Sequence, residues 1–205
     1  MTQLAEREVE ARLLHGPRAV SFKAMADARI NLYLVGFTGT GKSTVGRLAA
    51  RELEYEFVDS DHAIEATHNR SVADIFAQDG EAGFRAMERE FMVTGHPASG
   101  CVVACGGGLI VPEGMLALVK SRGVTICLHA QLATVLQRTS RTEHRPLLQV
   151  ENRAERLRTL YAAREEIYRS TGAVVLTEGR ALREIVAHVL RIYRAEADRW
   201  SPATS

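Results

Sequence analysis

Cysteine is scarce in this chain: Cys101, Cys105 and Cys127 among 205 residues. An odd set of three, spread over two apolar segments, excludes a disulfide framework and reads as buried small residues in a reducing compartment. Charge of one sign is nearly absent too. A formal net charge of +1 leaves no basic footprint for a nucleic-acid partner. Long hydrophobic runs are missing, since none reaches the ~18 residues of a membrane span. The first twenty residues carry Glu6, Glu8 and Glu10 without an apolar core, which fits neither a signal peptide nor an acid-poor transit peptide. There is no internal repeat and no low-complexity tract. What remains is an ordinary globular composition, 46% hydrophobic and 25% charged. It is enough for one domain with a real core. The expectation is a monomer in the cytoplasm, with no membrane and no nucleic acid as partner.

Residues 1–29 read as an N-terminal extension, helical or disordered, in which Leu4, Val9, Leu13 and Leu14 could line a short helix ending near Gly16 and Pro17. From residue 30 short apolar strands alternate with helical spacing. Strands are expected at 30–35, 101–105, 124–129 and 173–177, and the segment 56–61 is expected to begin as one. Helices are expected at 42–53, in two or three pieces over 61–67, 71–78 and 81–92, and at 112–121, 131–139, 152–171 and 181–196. Residues 140–149 are polar, with one proline, and read as a loop. Such alternation argues an α/β fold with a parallel sheet covered on both faces. A single domain over 30–197 and a short tail, 198–205, complete the division.

The stretch GFTGTGKS, Gly36 to Ser43, fits G-x-x-x-x-G-K-[ST] and lies between a strand and a helix, the context that pattern requires. Glycine lets backbone N–H groups turn inward around phosphate oxygens, and the helix N-terminus adds partial positive charge. Lys42 can reach the β- and γ-phosphates, and the Ser43 hydroxyl can ligate Mg²⁺. This is a nucleoside-triphosphate cradle, and it does not say what receives the phosphate.

The segment FVDSD places Asp59 and Asp61 at the end of the second strand, where ligands of open α/β sheets bind. Two residues apart in an extended segment, they should point the same way. One can serve the metal, and the other can orient a hydroxyl or take its proton. Asp61 could instead cap a helix. Arg85 and Glu88, three apart on a helix, form either a surface salt bridge or part of a site. Gly106, Gly107 and Gly108 follow a strand expected at the sheet's centre, and remove every side chain where a ligand could lie on backbone N–H groups. Arg145 stands in the long polar loop, either solvated or brought by closure to the transferring phosphate. Arg164, on a helix full of charges, reads by itself as part of a solvated face.

Taken together, GFTGTGKST, FVDSD, SVADIFAQDGEAGFRAME, CGGG, HRPLL and AAREEIY resemble the shikimate kinase family in their order and spacing, over about residues 31–193. The resemblance implies a three-layer α/β/α P-loop fold of the nucleoside-monophosphate-kinase type, with a central five-stranded parallel sheet. It implies a substrate-binding region at about 61–95 and a lid at about 139–150. It also implies ATP-dependent phosphorylation of shikimate at its 3-hydroxyl, with ATP and Mg²⁺. Gly36, Gly39, Thr40, Gly41, Lys42, Ser43 and Thr44 match the ATP-phosphate loop. Asp59 matches a Mg²⁺-associated aspartate, as Ser43 matches the metal-binding hydroxyl. Asp61 matches the aspartate that holds substrate hydroxyls and serves as base. Arg85 and Arg164 match the pair gripping the substrate carboxylate, Glu88 the acid that orients that grip, and Gly106, Gly107 and Gly108 the backbone of the pocket. Arg145 matches the lid arginine, which joins Asp61 and Lys42 in catalysis. Arg138 and Arg180 match arginines beside the adenine.

The substrate chemistry agrees with these types. Planar guanidinium forks suit a carboxylate better than ammonium groups do. An acid anchored at one end of its ring lets Asp61 select one hydroxyl at the other, and orientation of that kind is worth roughly 7–11 kcal/mol in favourable cases. Two other functions share part of the pattern. One is a kinase for another small hydroxy acid such as gluconate. The other is an effector-binding sensor, which would need a DNA-binding module larger than residues 1–29.

Overall fold

A computed structural model describes residues 29–139 and 153–201. The expected extension up to residue 28, the lid from residue 140 with Arg145, and the last four residues of the tail lie outside the described residues.

Five strands form one sheet: β1 (Asn31–Val35), β2 (Glu56–Asp59), β3 (Cys101–Ala104), β4 (Gly123–His129) and β5 (Ala173–Leu176). The order is β2-β3-β1-β4-β5 and every pairing is parallel. The seven helices among the described residues are α1 (Lys42–Leu53), α2 (Ser60–His68), α3 (Val72–Thr94), α4 (Met115–Arg122), α5 (Leu132–Thr139), α6 (Arg153–Arg169) and α7 (Leu182–Ala197). The central strand is β1. The strand before the glycine triplet, β3, is interior but one place off centre, between β1 and β2. That corrects the position expected from the sequence; the glycines still end a strand flanked on both sides.

β1 shows why three layers form. All five of its residues are buried, and alternate side chains face opposite ways. Tyr33 and Val35 enter one apolar cluster, with Ile75, Phe84 and Met92 of α3, Met115 and Val119 of α4, and Leu157 and Tyr168 of α6. Leu32 and Leu34 enter the other, with Val45, Ala49 and Ala50 of α1 and Ile185, Val189 and Leu190 of α7. Parallel strands need crossover connections, and helices on both faces result.

Element ends differ from the sequence reading in places with local causes. The expected pieces at 71–78 and 81–92 are the exception and do meet at a break: within α3, Gly80 has φ 70° and ψ −175°, which are not helical. Ser71 starts this helix with a reciprocal cap: its hydroxyl accepts from the Asp74 N–H at 3.1 Å and the Asp74 carboxylate accepts from the Ser71 N–H. The expected helix at 112–121 begins instead at Met115, after Gly114 at φ 76°. The strand expected to begin the segment 56–61 ends at Asp59.

The carboxyl ends of β1, β2 and β3 lead into the glycine loop, the aspartate pair and the glycine triplet, so these three segments meet at one edge of the sheet. Gly36 is the pivot. Its φ is +136°, and a Cβ there would collide with the Leu128 carbonyl oxygen of β4. Gly36→Ala should therefore cost more than about 1 kcal/mol, read as a lowered urea midpoint. An unchanged midpoint would show that the loop start tolerates a side chain.

Candidate active site

The loop from Gly36 to Gly41 leaves β1 and opens α1. Gly39 and Gly41 hold φ of 76° and 93°, values glycine reaches without strain, and Gly41 occupies the cap position of α1 with no side-chain capping bond. The first N–H groups of α1 therefore face outward at its positive end. Thr40 is buried, its hydroxyl bonded to the Phe37 carbonyl at 2.8 Å. Lys42 is 7% exposed. Its Nζ donates to the carbonyls of Gly36 at 2.8 Å and Phe37 at 2.9 Å, which folds the ammonium back over the loop.

The second strand delivers both aspartates, by a route the sequence did not show. Only Asp59 is extended, and Asp61 already lies in the first turn of α2. Asp59, not Asp61, is the helix cap: its Oδ1 accepts from the Asp61 N–H at 3.2 Å. Its other oxygen accepts from the Ser43 hydroxyl at 2.7 Å. Both carboxylates line the cleft over the loop, together with Lys42, Ser43, Thr44 and Arg138.

Beyond Asp61 the cleft continues into a mostly apolar pocket. Phe37, Val72, Phe76, Phe84, Leu157 and Leu160 supply its walls, and Asp61, Arg85 and Arg164 converge on it. Asp61 and Gly107 border both cavities, so phosphate loop and pocket are one continuous site. Arg85 comes from α3 and Arg164 from α6, and both line the pocket.

The glycine triplet has a more specific task than the expected backbone platform. A Cβ on Gly106 would collide with Asp61 Oδ1, and one on Gly108 would stand 2.8 Å from both terminal nitrogens of Arg85. The missing side chains are what allow these two charged groups to lie against the chain. The Gly106 N–H donates to the Ser60 hydroxyl at 2.8 Å. The Gly107 carbonyl accepts from Arg164 at 3.2 Å and from the Tyr168 hydroxyl.

Arg85 is held by two carboxylates: Nη1 donates to Glu88 Oε2 at 2.6 Å and Nη2 to Glu81 Oε1 at 2.8 Å. Glu88 is 1% exposed, so this is not the surface pair that spacing alone allowed. Burial pushes the Glu88 carboxyl up to about 7 against the pull of Arg85, with the Asp61 charge adding to the rise. Its Oε1 has no hydrogen-bond partner among the described residues.

Of the two arginines expected beside adenine, Arg138 donates to the Thr177 hydroxyl at 3.0 Å and its carbonyl at 2.8 Å, and reaches the Gly39 carbonyl at 3.5 Å. It thus ties the end of β5 to the loop. Arg180 instead pairs with His188 at 3.1 Å and does not line the cleft. Sequence reasoning missed Ser60, Tyr168 and the aromatic wall. Tyr168 lies one helical turn beyond Arg164, so the spacing was visible once Arg164 was known to face inward. Phe37 packs edge-on against Tyr161 and Tyr168, a contact between distant segments that no local pattern announces.

The shikimate kinase family model matches residues 38–194. A shikimate kinase of Acinetobacter baylyi is 40% identical over 167 residues, 81% of this chain and 93% of its own length. One of Thermodesulfovibrio yellowstonii is 36% identical over 163 residues, 80% of this chain and 94% of its own. Among solved structures, a shikimate kinase from Acinetobacter baumannii in complex with shikimate superposes with a TM-score of 0.75 at 37% identity, covering 85% of this chain and 98% of that one. A gluconokinase from Sinorhizobium meliloti reaches 0.50 at 18% identity, which shows a shared fold alone. With the fold, the phosphate loop and the arginine-lined pocket in the same chain, these matches lead to one assignment: the chain belongs to the shikimate kinase family.

Proposed function

We propose that this protein transfers the γ-phosphoryl group of ATP to the 3-hydroxyl of shikimate, with the labour divided among the residues just described. The observation that carries this reading is the single cleft in which Arg85, Arg164 and Asp61 face one pocket that opens onto the Lys42 loop. Arg85 and Arg164 bind the carboxylate, a match of planar fork to planar acid. The apolar wall shuts water away from the ring. Asp61, at the junction of pocket and loop, orients the 3-hydroxyl for in-line attack and accepts its proton.

At the other end, the N–H groups of residues 39–44 and Lys42 hold the phosphates. Lys42 exchanges its carbonyl partners for phosphate oxygens, which stabilises charge on the transferring group. Arg138, which lines the cleft over the loop, borders the nucleotide; the roles of Arg180 at the adenine and of Arg145 at the transferring phosphate rest on the family resemblance alone. The Ser43 hydroxyl and Asp59 carboxylate, 2.7 Å apart, are hard oxygen donors of the kind Mg²⁺ takes. Among the described residues no group of three His, Cys, Asp or Glu could hold a metal. This suits a Mg²⁺ bound by few protein oxygens and completed by phosphates and water. Bound there, the ion would neutralise phosphate charge.

No described helix is long and apolar enough to cross a membrane, and all three cysteines are buried free thiols. Buried free thiols suit a reducing compartment, and the reading carried forward is a monomeric cytoplasmic enzyme with one domain over 30–197.

A coupled assay of ADP release with shikimate, gluconate and no acceptor tests the activity: release should require shikimate, and release with gluconate alone would overturn it. Asp61→Asn should lower kcat by about 10²–10⁴-fold with ATP affinity nearly intact; an unchanged kcat removes Asp61 as the base. Arg85→Lys keeps the charge but loses the fork, and the KM for shikimate should rise about 10–100-fold. A change confined to the KM for ATP would displace the carboxylate from Arg85.

Glu88 makes stability depend on pH. Its carboxyl is raised on folding from 4.5 to about 7, so between these values the folded state binds the proton more tightly than the unfolded one. The stabilisation is complete below about 4.5 and is lost as pH rises through about 7. Glu88→Gln, which cannot ionise, should therefore gain on the wild type as pH rises from 5 to 8, seen as a shift in the Tm difference. A Tm difference independent of pH would contradict the buried, raised carboxyl.

A further inference from the structure

The two acids on Arg85 are not alike. Glu88 is sealed inside, 1% exposed, whereas the Glu81 side chain is 62% exposed. The Glu81 carboxyl is held below the usual carboxylate range, chiefly by its hydrogen bond from Arg85, and is ionised at neutral pH. One terminal nitrogen of the guanidinium is thus bonded to a permanent partner, and the other to a carboxylate that solvent can reach.

We propose that Glu81 is a displaceable internal carboxylate: it occupies the Arg85 fork until the carboxylate of the incoming acid takes its place. The inference rests on reading this pocket as the shikimate site. An exposed ion pair contributes little, as a contact must if substrate is to replace it, and Glu88, buried beneath, cannot leave.

The backbone around Glu81 supplies the freedom to move. Glu81 directly follows Gly80, the one break inside α3, at φ 70° and ψ −175°, a region essentially reserved for glycine. A Cβ on Gly80 would meet nothing within 4 Å, so the backbone angle, not crowding, calls for glycine there. On the near side of the break, Asp79 is anchored by Arg70 at 2.7 Å. The segment that begins with Glu81 therefore starts at a joint whose other half is fixed, and its carboxylate can swing to water while Arg85 stays on Glu88. The arrangement also selects: an anionic group restores the charge that Glu81 withdraws from the fork, whereas a neutral polyol of similar size offers only the weaker uncharged acceptors.

Glu81→Gln removes the charge and keeps the size. Binding of shikimate and of its methyl ester to wild type and variant is measured by calorimetry, with the KM for ATP as a parallel control. The Kd for shikimate should fall about two- to five-fold, and the Kd for the neutral ester should stay the same. A rise in the Kd for shikimate would overturn the proposal, because Glu81 would then be holding Arg85 in place. An unchanged Kd, or an equal gain for acid and ester, would overturn it as well. Wild-type turnover of shikimate is measured first: its absence defeats the assigned activity, while failure of the Glu81 result leaves that activity standing.

Discussion

Two missing Cβ atoms, at Gly106 and Gly108, set the geometry on which the rest of the site depends. With a side chain at either position, Asp61 or Arg85 would be forced off the end of β3. The reacting hydroxyl and the carboxylate at the other end of the ring would then lose their common reference. The space is created by deletion, and the backbone between these glycines is fixed in turn by Ser60 on the Gly106 N–H and by Arg164 and Tyr168 on the Gly107 carbonyl. A short backbone segment thus joins α2, α3 and α6 around one cavity, and the position of each charge is referred to it.

The charges are balanced by burial as much as by pairing. Arg85 sits between a sealed acid and an open one. A fully ionised Glu88 would leave the fork surplus negative charge next to Asp61, and burial opposes that by raising the Glu88 carboxyl. Arg164 donates to the Gly107 carbonyl and has no carboxylate partner among the described residues. Arg85 and Arg164 line only the pocket, whereas Asp61 borders both the pocket and the cleft over the loop.

Contiguous features were legible in the sequence, and features made by distant segments were not. The phosphate loop could be read because its glycines, lysine and hydroxyls lie between one strand and one helix. Asp59 and Asp61 were identified as a pair, but for a reason the structure replaces: the chain turns into α2 between them, and Asp59 itself caps that helix. Arg164 could not be distinguished from its charged neighbours by spacing; the resemblance picked it out, and its bond to Gly107 comes from a segment 57 residues away. The interruption at Gly80 was legible, because one helical piece was read to end at 78 and the next to begin at 81; only its backbone angles had to come from the structure. Arg180 pairs with His188, eight residues on in α7, a contact that its spacing did not announce.

A crystal structure with ADP and shikimate bound tests the proposed clamp of Arg85 and Arg164 on the acid. The shikimate carboxylate should lie within hydrogen-bond distance of both guanidinium groups, with the 3-hydroxyl turned toward Asp61 beside the phosphate loop. A carboxylate directed at Lys42, or shikimate bound outside the cavity between α3 and α6, would overturn that placement.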